Sequence, residues 1–243
     1  MNIKVESVKP YNGSEKKSLQ IERMFDNIAP AYDVMNFAMT LGLDRIWRRK
    51  AVKLLGKANS ILDVASGTGD MAMELCRGSK PTKLIGIDLS DNMLMRARKK
   101  IAQSNYANVA SFEKCDCSAM PFPNASFDAI TAAFGVRNFE NLLDCYREMH
   151  RVMVPGGKLC IIELSEPVNP LIIPLFKLYT RGIIPTVGRI VSSDSNAYKY
   201  LPDSIAAVPQ RNDMLNIMHQ AGFRNGKFYP LTFGVCTIYI AEK

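Results

Sequence analysis

Apolar runs alternate with segments of helical periodicity through the middle of the chain. Continuous apolar stretches of strand length occur at residues 61–65, 83–88, 109–114, 127–133 and 158–164. Between two of them, Met93, Leu94, Ala97 and Ile101 fall on one helical face that follows an N-cap at Ser90 or Asp91. This alternation predicts βαβ units with right-handed crossovers, and therefore an α/β fold with a doubly wound, Rossmann-like parallel sheet.

The same patterning predicts the elements around these strands. Helices are expected over residues 70–77, 91–103, 138–153 and 213–221, and two final strands over 223–229 and 233–241 as an edge hairpin. From Ile21 to Leu55 apolar residues recur at helical spacing with interruptions at Pro30 and Gly42, which predicts a cover of short helices over residues 19–57. Residues 1–18 offer little apolar surface and are expected to be flexible, so residues 19–243 form a single domain.

A second apolar region follows the last strand of the alternating pattern. Residues 167–200 are rich in leucine, isoleucine and proline and carry a few basic residues such as Arg181. Such a segment is typical of a lid over an apolar substrate or of a membrane-facing surface. An ordinary core helix is the alternative.

Charge and cysteine content narrow the function classes. The chain has a formal net charge of +8, which favours anionic partners, but it has no basic tract, so no nucleic-acid partner is predicted. No signal peptide and no stretch of about 18 apolar residues is present, so a cytoplasmic location is expected, at most peripheral at the inner face of the membrane. The six cysteines form no Cys-x-x-Cys pair, which favours free thiols and no metal site.

The glycine-rich turn after the first strand is the strongest candidate for a ligand-binding loop. Gly67-x-Gly69-x-x-Ala72 fits the dinucleotide fingerprint, and Asp88 follows about 20 residues later, so an NAD-dependent oxidoreductase is a serious alternative. Asp63 argues against it, because a carboxylate interrupts a strand that an NAD-binding fold would make apolar. Asp-x-x-x-Gly-x-Gly is instead a methyl-donor signature.

S-adenosylmethionine requires contacts that these residues could supply. Asp88 could bind both ribose hydroxyls in charge-assisted hydrogen bonds. Asp116 and Cys117, with Leu89 nearby, could read the adenine edge and wall its ring, and Thr68 could hold the amino acid end.

At this point the sequence resembles the quinone-biosynthesis C-methyltransferases, the family that methylates demethylmenaquinol and the corresponding ubiquinone precursor. The resemblance covers nearly the whole chain from about Arg23. Its specific stretches are Tyr32-Asp33-Val34-Met35-Asn36 and Phe134-Gly135-Val136-Arg137-Asn138, besides the donor loop and Tyr198-Lys199-Tyr200-Leu201-Pro202. The sequence departs from the family pattern at Ala133, often a serine, and at Asp44, usually a histidine.

The resemblance implies a class I methyltransferase with a seven-stranded sheet whose last strand is antiparallel. It implies donor contacts at Thr68, Asp88, Asp116 and Cys117. For the acceptor, we expect Arg137 to stabilise the phenolate of a quinol, while Tyr32 and Asn138 orient the hydroxyl or a water. Arginine stays protonated and cannot itself be the base.

The expected function is S-adenosylmethionine-dependent C-methylation of demethylmenaquinol. The ring could instead be the polyprenyl-methoxy-benzoquinol of ubiquinone biosynthesis, and a non-catalytic, nucleic-acid-binding relative is a third alternative. Transient contact with an anionic membrane is expected from the basic surface and the apolar region. The oligomeric state is left open, with a homodimer as one alternative.

Overall fold

The fold is built on a mixed β-sheet. A computed structural model describes residues 3–183 and 194–243, and within those ranges seven strands form one sheet of order β3-β2-β1-β4-β5-β7-β6. Neighbouring strands pair in parallel except at β7, which is antiparallel to both β5 and β6. The strands are β1 Ser60–Val64, β2 Lys83–Asp88, β3 Ala110–Lys114, β4 Phe127–Ala133, β5 Met153–Leu164, β6 Arg224–Leu231 and β7 Cys236–Glu242. The expected fold class is confirmed.

Helices precede, connect and follow these strands. They are α1 Lys17–Ile28, α2 Tyr32–Thr40, α3 Leu43–Leu55, α4 Asp70–Gly78, α5 Asp91–Ala102, α6 Leu142–Val152, α7 Ile173–Leu178, α8 Ser195–Ala207 and α9 Asn212–Gln220. The predicted cap of α5 is confirmed, since Ser90 Oγ accepts a hydrogen bond from the Met93 amide at 3.1 Å. The four apolar residues predicted on its inner face are all buried.

The strand order fixes where a ligand can bind. Alternate residues of β1 enter different apolar clusters: Leu62 and Val64 pack in one, and Ile61 in the other. Both faces of the central strands are therefore covered, as the continuous apolar runs predicted. The order reverses between β1 and β4, and in such sheets the crevice outside the carboxyl ends of those strands receives ligands.

Several element boundaries differ from the sequence-based predictions. Helix α6 begins at Leu142 rather than at residue 138, because Val136–Asn138 form a 3₁₀ turn and Phe139 is extended. Strand β5 begins at Met153 rather than at residue 158, since Met153 already pairs with Phe127 before a register shift. The two closing strands start later than predicted, because Thr232–Gly234 form a 3₁₀ turn between them.

The N-terminal segment packs more closely than its composition indicates. Val5 is fully buried in the main apolar cluster, and the Lys17 ammonium, also fully buried, donates to the carbonyl oxygens of Val5 and Arg137 at 2.7 and 3.0 Å. These contacts go against the expectation of a loosely attached residue 1–18 segment. Composition did not predict these contacts, because only a few residues make them and the apolar content of the segment is low.

The apolar region after β5 is only partly described. Helix α7 and a π-helical turn, Tyr179–Ile183, cover its first half, and α8 begins at Ser195. The expected apolar segment 167–200 includes residues 184–193, which lie outside the described ranges. Among the described helices, none combines the length and hydropathy that crossing a bilayer would require.

Candidate functional site

The glycine turn leaves β1 in a strained, open conformation. Ala65, the residue after the strand, has φ 53°, a left-handed value that costs energy for a residue with a Cβ and clusters at functional sites. The Ser66 amide then donates to Ile87 O at 2.9 Å, tying the turn to β2. Gly67 has φ +55°, and a Cβ built on it meets no atom within 4 Å. Its backbone therefore borders open space, as a loop that admits a ligand requires.

Asp88 ends β2 directly opposite this turn. Its Oδ2 accepts from the Gly67 amide at 2.8 Å and its Oδ1 accepts from the Ser90 amide at 3.0 Å. Burial raises the pKa of the Asp88 carboxyl, against the opposing effect of these amides. The carboxylate thus has one backbone donor on each oxygen and further acceptor capacity for ligand hydroxyls.

Asp63 supports the turn from below and does not line the cavity. It is fully buried in β1, where Ser66 Oγ and Thr131 Oγ1 donate to its two oxygens, each at 2.6 Å. Burial raises its pKa to about 6. The sequence predicted that Asp63 binds the backbone of the glycine loop or, through water, the amino end of the donor. In the structure its carboxylate holds the loop through the Ser66 side chain, and the donor contact stays a prediction.

Thr68 and Gly69 are likewise turned away from the cavity. The Thr68 hydroxyl donates to Asp33 Oδ1 at 2.5 Å, and Lys100 Nζ lies 3.0 Å from Asp33 Oδ2. Thr68 therefore joins the loop to the N-terminal helices through its hydroxyl, and its contact with the amino acid end of the donor stays a prediction. A Cβ on Gly69 would lie 3.1 Å from the Ala97 Cβ, so this glycine permits close packing on α5.

A cavity opens at Gly67 and Asp88. Leu89, Asp116 and Cys117 line it, as predicted, and Phe25 and Tyr32 of the N-terminal cover border it. Asp116 Oδ1 accepts from Ser118 N and Oγ at 2.8 Å each, which leaves its second oxygen free of these bonds. The carboxylate of Asp88, the apolar side chain of Leu89 and the carboxylate of Asp116 suit a nucleoside, with the ribose at Asp88 and the base near Asp116.

A second, more apolar cavity adjoins the first. Four residues line both: Phe25, Tyr32, Phe134 and Asn138. The second cavity is walled by α2, α3, α7 and α8, and its apolar lining includes Met24, Ile28, Met35, Met39, Trp47, Phe176 and Leu201. Two ligands, one in each cavity, would therefore meet at the four shared residues.

Arg137 lines the second cavity from a buried ion pair. Its Nη1 donates to Glu163 Oε1 at 2.7 Å and also to the Phe134 carbonyl, while its backbone amide donates to Glu163 Oε2 at 3.2 Å. Its Nε is buried without a hydrogen-bond partner. Such an orphaned donor in a cavity wall is a candidate for binding a ligand oxygen.

Asn138 is held beside Arg137 by a tyrosine from α8. The Tyr200 hydroxyl donates to Asn138 Oδ1 at 3.1 Å and approaches Arg137 O at 3.3 Å. Asn138 borders both cavities, which agrees with its predicted place near the reacting groups. The structure thus brings together the three predicted catalytic residues, Tyr32, Arg137 and Asn138, around the second cavity.

The protonation states of these groups limit their chemistry. Burial raises the pKa values of Tyr32 and Tyr200, so both are hydroxyl donors at neutral pH. Burial is the largest single effect on the pKa of Arg137 and lowers it, but the charge and hydrogen bond of Glu163 together with Tyr32 and Tyr200 raise the pKa above its usual value. Tyr32, Tyr200 and Arg137 are therefore not bases at neutral pH, and each can stabilise a developing phenolate.

Sequence reasoning missed the partners that hold this site. Glu163 and Tyr200 reach Arg137 and Asn138 from β5 and α8, across separations that spacing rules do not connect. Asp44 and Arg48 form a further buried ion pair on the wall of the second cavity. A charged pair four residues apart inside the predicted cover was the one available signal, and it is equally typical of a solvated helix face.

Known proteins resemble this chain over nearly its whole length. The sequence profile of the ubiE/COQ5 methyltransferase family matches residues 13–243. The chain is 45% identical over its full length, and the full length of the relative, to a demethylmenaquinone methyltransferase of Bacteroides fragilis. It is 40% identical, over 94% of this chain and 90% of the relative, to the ubiquinone/menaquinone biosynthesis C-methyltransferase UbiE of Geobacter sulfurreducens.

Solved structures share the fold at much lower identity. A SAM-dependent methyltransferase from Thermotoga maritima superposes with a TM-score of 0.65 at 16% identity, covering 91% of this chain and 99% of that chain. The cyclase SpnF superposes with a TM-score of 0.69, also at 16% identity, covering 93% of this chain and 96% of that chain. The fold alone therefore does not fix the reaction. The profile match and the full-length relatives do fix the family, and they remove the nicotinamide-dependent alternative: the chain belongs to the ubiE/COQ5 methyltransferase family.

Proposed function

We propose that the protein transfers the methyl group of S-adenosylmethionine to a ring carbon of demethylmenaquinol. The observation that carries the proposal is the pair of adjoining cavities, one edged by carboxylates and one apolar, which share Phe25, Tyr32, Phe134 and Asn138. Full-length relatives from Bacteroides fragilis and Porphyromonas gingivalis, 45% and 41% identical, carry the name demethylmenaquinone methyltransferase. Their names favour the naphthoquinol ring over the benzoquinol.

The first cavity would hold the methyl donor. Asp88 would bind the ribose hydroxyls, and Asp116 and Cys117 would face the adenine, with Leu89 against the base. The amides of the open Gly67 turn would border the amino acid end. When bound, the donor supplies an electrophilic sulfonium methyl, and the residues around it supply only position and exclusion of water.

The second cavity would hold the quinol ring and the start of its isoprenoid tail. A ring carbon becomes nucleophilic as the neighbouring hydroxyl loses its proton to water. As this carbon bonds to the methyl group, the bond from the methyl to the donor sulfur breaks and S-adenosylhomocysteine leaves, and the proton on the same ring carbon then passes to water as the aromatic ring is restored. The Arg137 guanidinium would stabilise the resulting phenolate through its unpaired Nε, while Glu163 and Tyr200 keep Arg137 and Asn138 in place. Asn138 and Tyr32, which border both cavities, would orient the hydroxyl toward the donor.

A methyl-transfer assay tests the proposal. Labelled S-adenosylmethionine is incubated in detergent with demethylmenaquinone under reducing conditions, and in parallel with the polyprenyl-methoxy-benzoquinol of ubiquinone biosynthesis. We expect label on a ring carbon of the naphthoquinol, at a higher rate than on the benzoquinol. No transfer to either ring would refute the proposal, and preferential transfer to the benzoquinol would favour the ubiquinone branch.

The proposal includes docking on a lipid bilayer, from which the substrate would enter. The helices α2 and α7 wall the second cavity with Met39 and Phe176. Exposed leucines accompany both helices: Leu41, the residue after α2, is 81% exposed, and Leu175 and Leu178 of α7 are each 64% exposed. We define these three leucines as the leucine face. Lys177 and Arg181 lie beside it in the chain, so an anionic surface complements it.

Flotation with anionic phospholipid vesicles tests this docking. Changing Leu175 and Leu178 together to Glu should abolish flotation and raise the KM for long-tailed quinol, because two apolar contacts are replaced by charges that the surface repels. Met95→Glu is the matched control, since Met95 is 58% exposed on α5. Equal flotation of both variants would remove the leucine face from the proposal.

A further inference from the structure

A second buried ion pair lies on the wall of the apolar cavity. Asp44 and Arg48 occupy one turn of α3 and are 5% and 7% exposed, and both line the cavity. The Arg48 Nη1 donates to Asp44 Oδ2. The Arg48 Nε is buried without a partner in the described structure.

Stability of the fold does not account for this pair. Replacing buried ion pairs by apolar side chains of similar volume is often neutral or stabilising, because desolvation offsets the attraction of the charges. Leaving a buried N–H unpaired adds a further penalty. A buried pair that faces a cavity and has an unpaired N–H is therefore a candidate for completion by a ligand.

The two orphaned donors of the cavity flank one aromatic residue. The Arg48 guanidinium carbon lies 5.2 Å from the centroid of the Phe134 ring, and Arg137 Nη1 donates to the Phe134 carbonyl. Arg48 thus contacts the side chain of Phe134, and Arg137 contacts its backbone. Each of these two arginines has an Nε atom without a hydrogen-bond partner. Phe134 also borders the first cavity, so a substrate ring packed against Phe134 would have both guanidinium groups in its surroundings.

Asp44 adds an acceptor to this arrangement. It is the one carboxylate among the described residues that line the second cavity. Thr40 Oγ1 lies 2.8 Å from Asp44 Oδ1 and 2.7 Å from the Asn36 carbonyl oxygen. A hydroxyl has one proton to donate, so when it bonds Asn36 O, the Asp44 Oδ1 is open to another donor.

We propose that Asp44 and Arg48 bind the second hydroxyl of the quinol, the one remote from the methyl-accepting carbon. This assignment rests on the proposed function. A hydroxyl both donates and accepts, so it can donate to Asp44 Oδ1 and accept from Arg48 Nε. Asp44 and Arg48 lie on α3, no residue of which lines the first cavity, whereas Arg137 is next to Asn138, which lines both cavities, so the pair lies farther from the donor than Arg137 does.

The arrangement also selects the oxidation state of the ring. A quinone carbonyl can accept from Arg48 but has no proton to donate to Asp44. The reduced ring therefore satisfies both partners, and the oxidised ring leaves Asp44 opposite a second acceptor.

A pair of acceptors that differ by this hydroxyl tests the proposal. One is demethylmenaquinol with a short prenyl chain. The other is the naphthol that keeps the hydroxyl beside the methyl-accepting carbon and lacks the remote one. Because a hydrogen bond to a charged partner is lost, the wild-type kcat/KM should be about 10- to 100-fold lower for the naphthol.

Variants of the pair give the second measurement. Arg48→Met and Asp44→Asn should each lower kcat/KM for the quinol about 10-fold or more and change kcat/KM for the naphthol less than about twofold. Arg49→Met is the matched control, since Arg49 is exposed on the same helix and lies 3.6 Å from Glu74; it should leave both substrates unchanged. Calorimetric binding of S-adenosylmethionine verifies that each variant is folded.

Each outcome decides the assignment. Equal losses on both substrates would indicate a structural role for the pair and overturn it. A wild-type protein that uses both substrates equally would overturn it without any variant. Methylation of neither substrate by the wild-type protein would refute the proposed function itself, and the assignment with it.

Discussion

Replacing Asp88 by Asn should weaken binding of the methyl donor without unfolding the protein. Each Asp88 oxygen accepts one backbone amide, from Gly67 at 2.8 Å and from Ser90 at 3.0 Å, so each keeps capacity for one ribose hydroxyl. Charge-assisted hydrogen bonds contribute about 1.5–3 kcal/mol, and neutral ones about 0.5–1.5 kcal/mol. Asparagine keeps a single acceptor oxygen, so the two ribose bonds together lose roughly 2–3 kcal/mol, or about 30- to 150-fold in Kd.

Asp88→Asn should lower the affinity for the methyl donor without lowering the stability of the fold. Burial raises the pKa of Asp88, so the ionised carboxylate is itself disfavoured in the folded protein, and its removal offsets the loss of one amide partner. Isothermal titration calorimetry with S-adenosylmethionine measures Kd, and thermal unfolding measures stability. Asp91→Asn, three positions along the chain with a 56% exposed side chain, is the matched control. A Kd for Asp88→Asn within threefold of the control would refute the ribose contact.

Three further changes address other parts of the site. Burial raises the pKa of Asp63 to about 6, so between about pH 4 and pH 6 the folded state binds more protons than the unfolded state. The free energy of unfolding therefore falls as pH rises through that window, by roughly 3 kcal/mol for a shift of about two units. Urea unfolding of Asp63→Asn should lack this fall, and parallel pH profiles of variant and wild type would contradict the assignment. Arg137→Met should lower kcat at least about 100-fold, because a donor that stabilises the developing charge is lost. The Kd of the methyl donor, measured by calorimetry, should stay unchanged. Retained activity in the methyl-transfer assay would exclude phenolate stabilisation by Arg137. Gly135→Ala would put a Cβ 2.5 Å from the Ala65 Cβ, so we expect it to displace the donor loop and raise the donor Kd about tenfold or more, and an unchanged Kd would show that the loop yields freely.

The sheet and the donor cavity were largely predictable because their signals are local. A strand buried on both faces produces a continuous apolar run, and a carboxylate at the end of β2 faces the crevice by topology alone. Asp88, Leu89, Asp116 and Cys117 lie at the donor cavity for this reason, and their contacts with the donor stay predictions. The side-chain partner of Thr68, which is Asp33, and the packing partner of Gly69, which is Ala97, were not predictable because both come from distant elements.

The acceptor side could not be derived in the same way. Arg137 was recognised through a motif, but its ion-pair partner Glu163 lies on β5, and the hydroxyl that holds Asn138 comes from Tyr200 on α8. Such partners are set by tertiary packing, which has no periodicity in the sequence. The buried state of Asp44 and Arg48 was equally invisible, since the same i,i+4 pair is ordinary on a solvated helix.

The most direct test of the account is a crystal structure with S-adenosylhomocysteine and demethylmenaquinol bound together. The account predicts the sulfur in the first cavity and the ring in the second, with the methyl-accepting carbon facing the sulfur between Tyr32, Phe134 and Asn138. One ring oxygen should lie within hydrogen-bond distance of Arg137 and the other of Asp44 and Arg48. A ring bound outside the second cavity, or a methyl-accepting carbon turned away from the sulfur, would contradict the account.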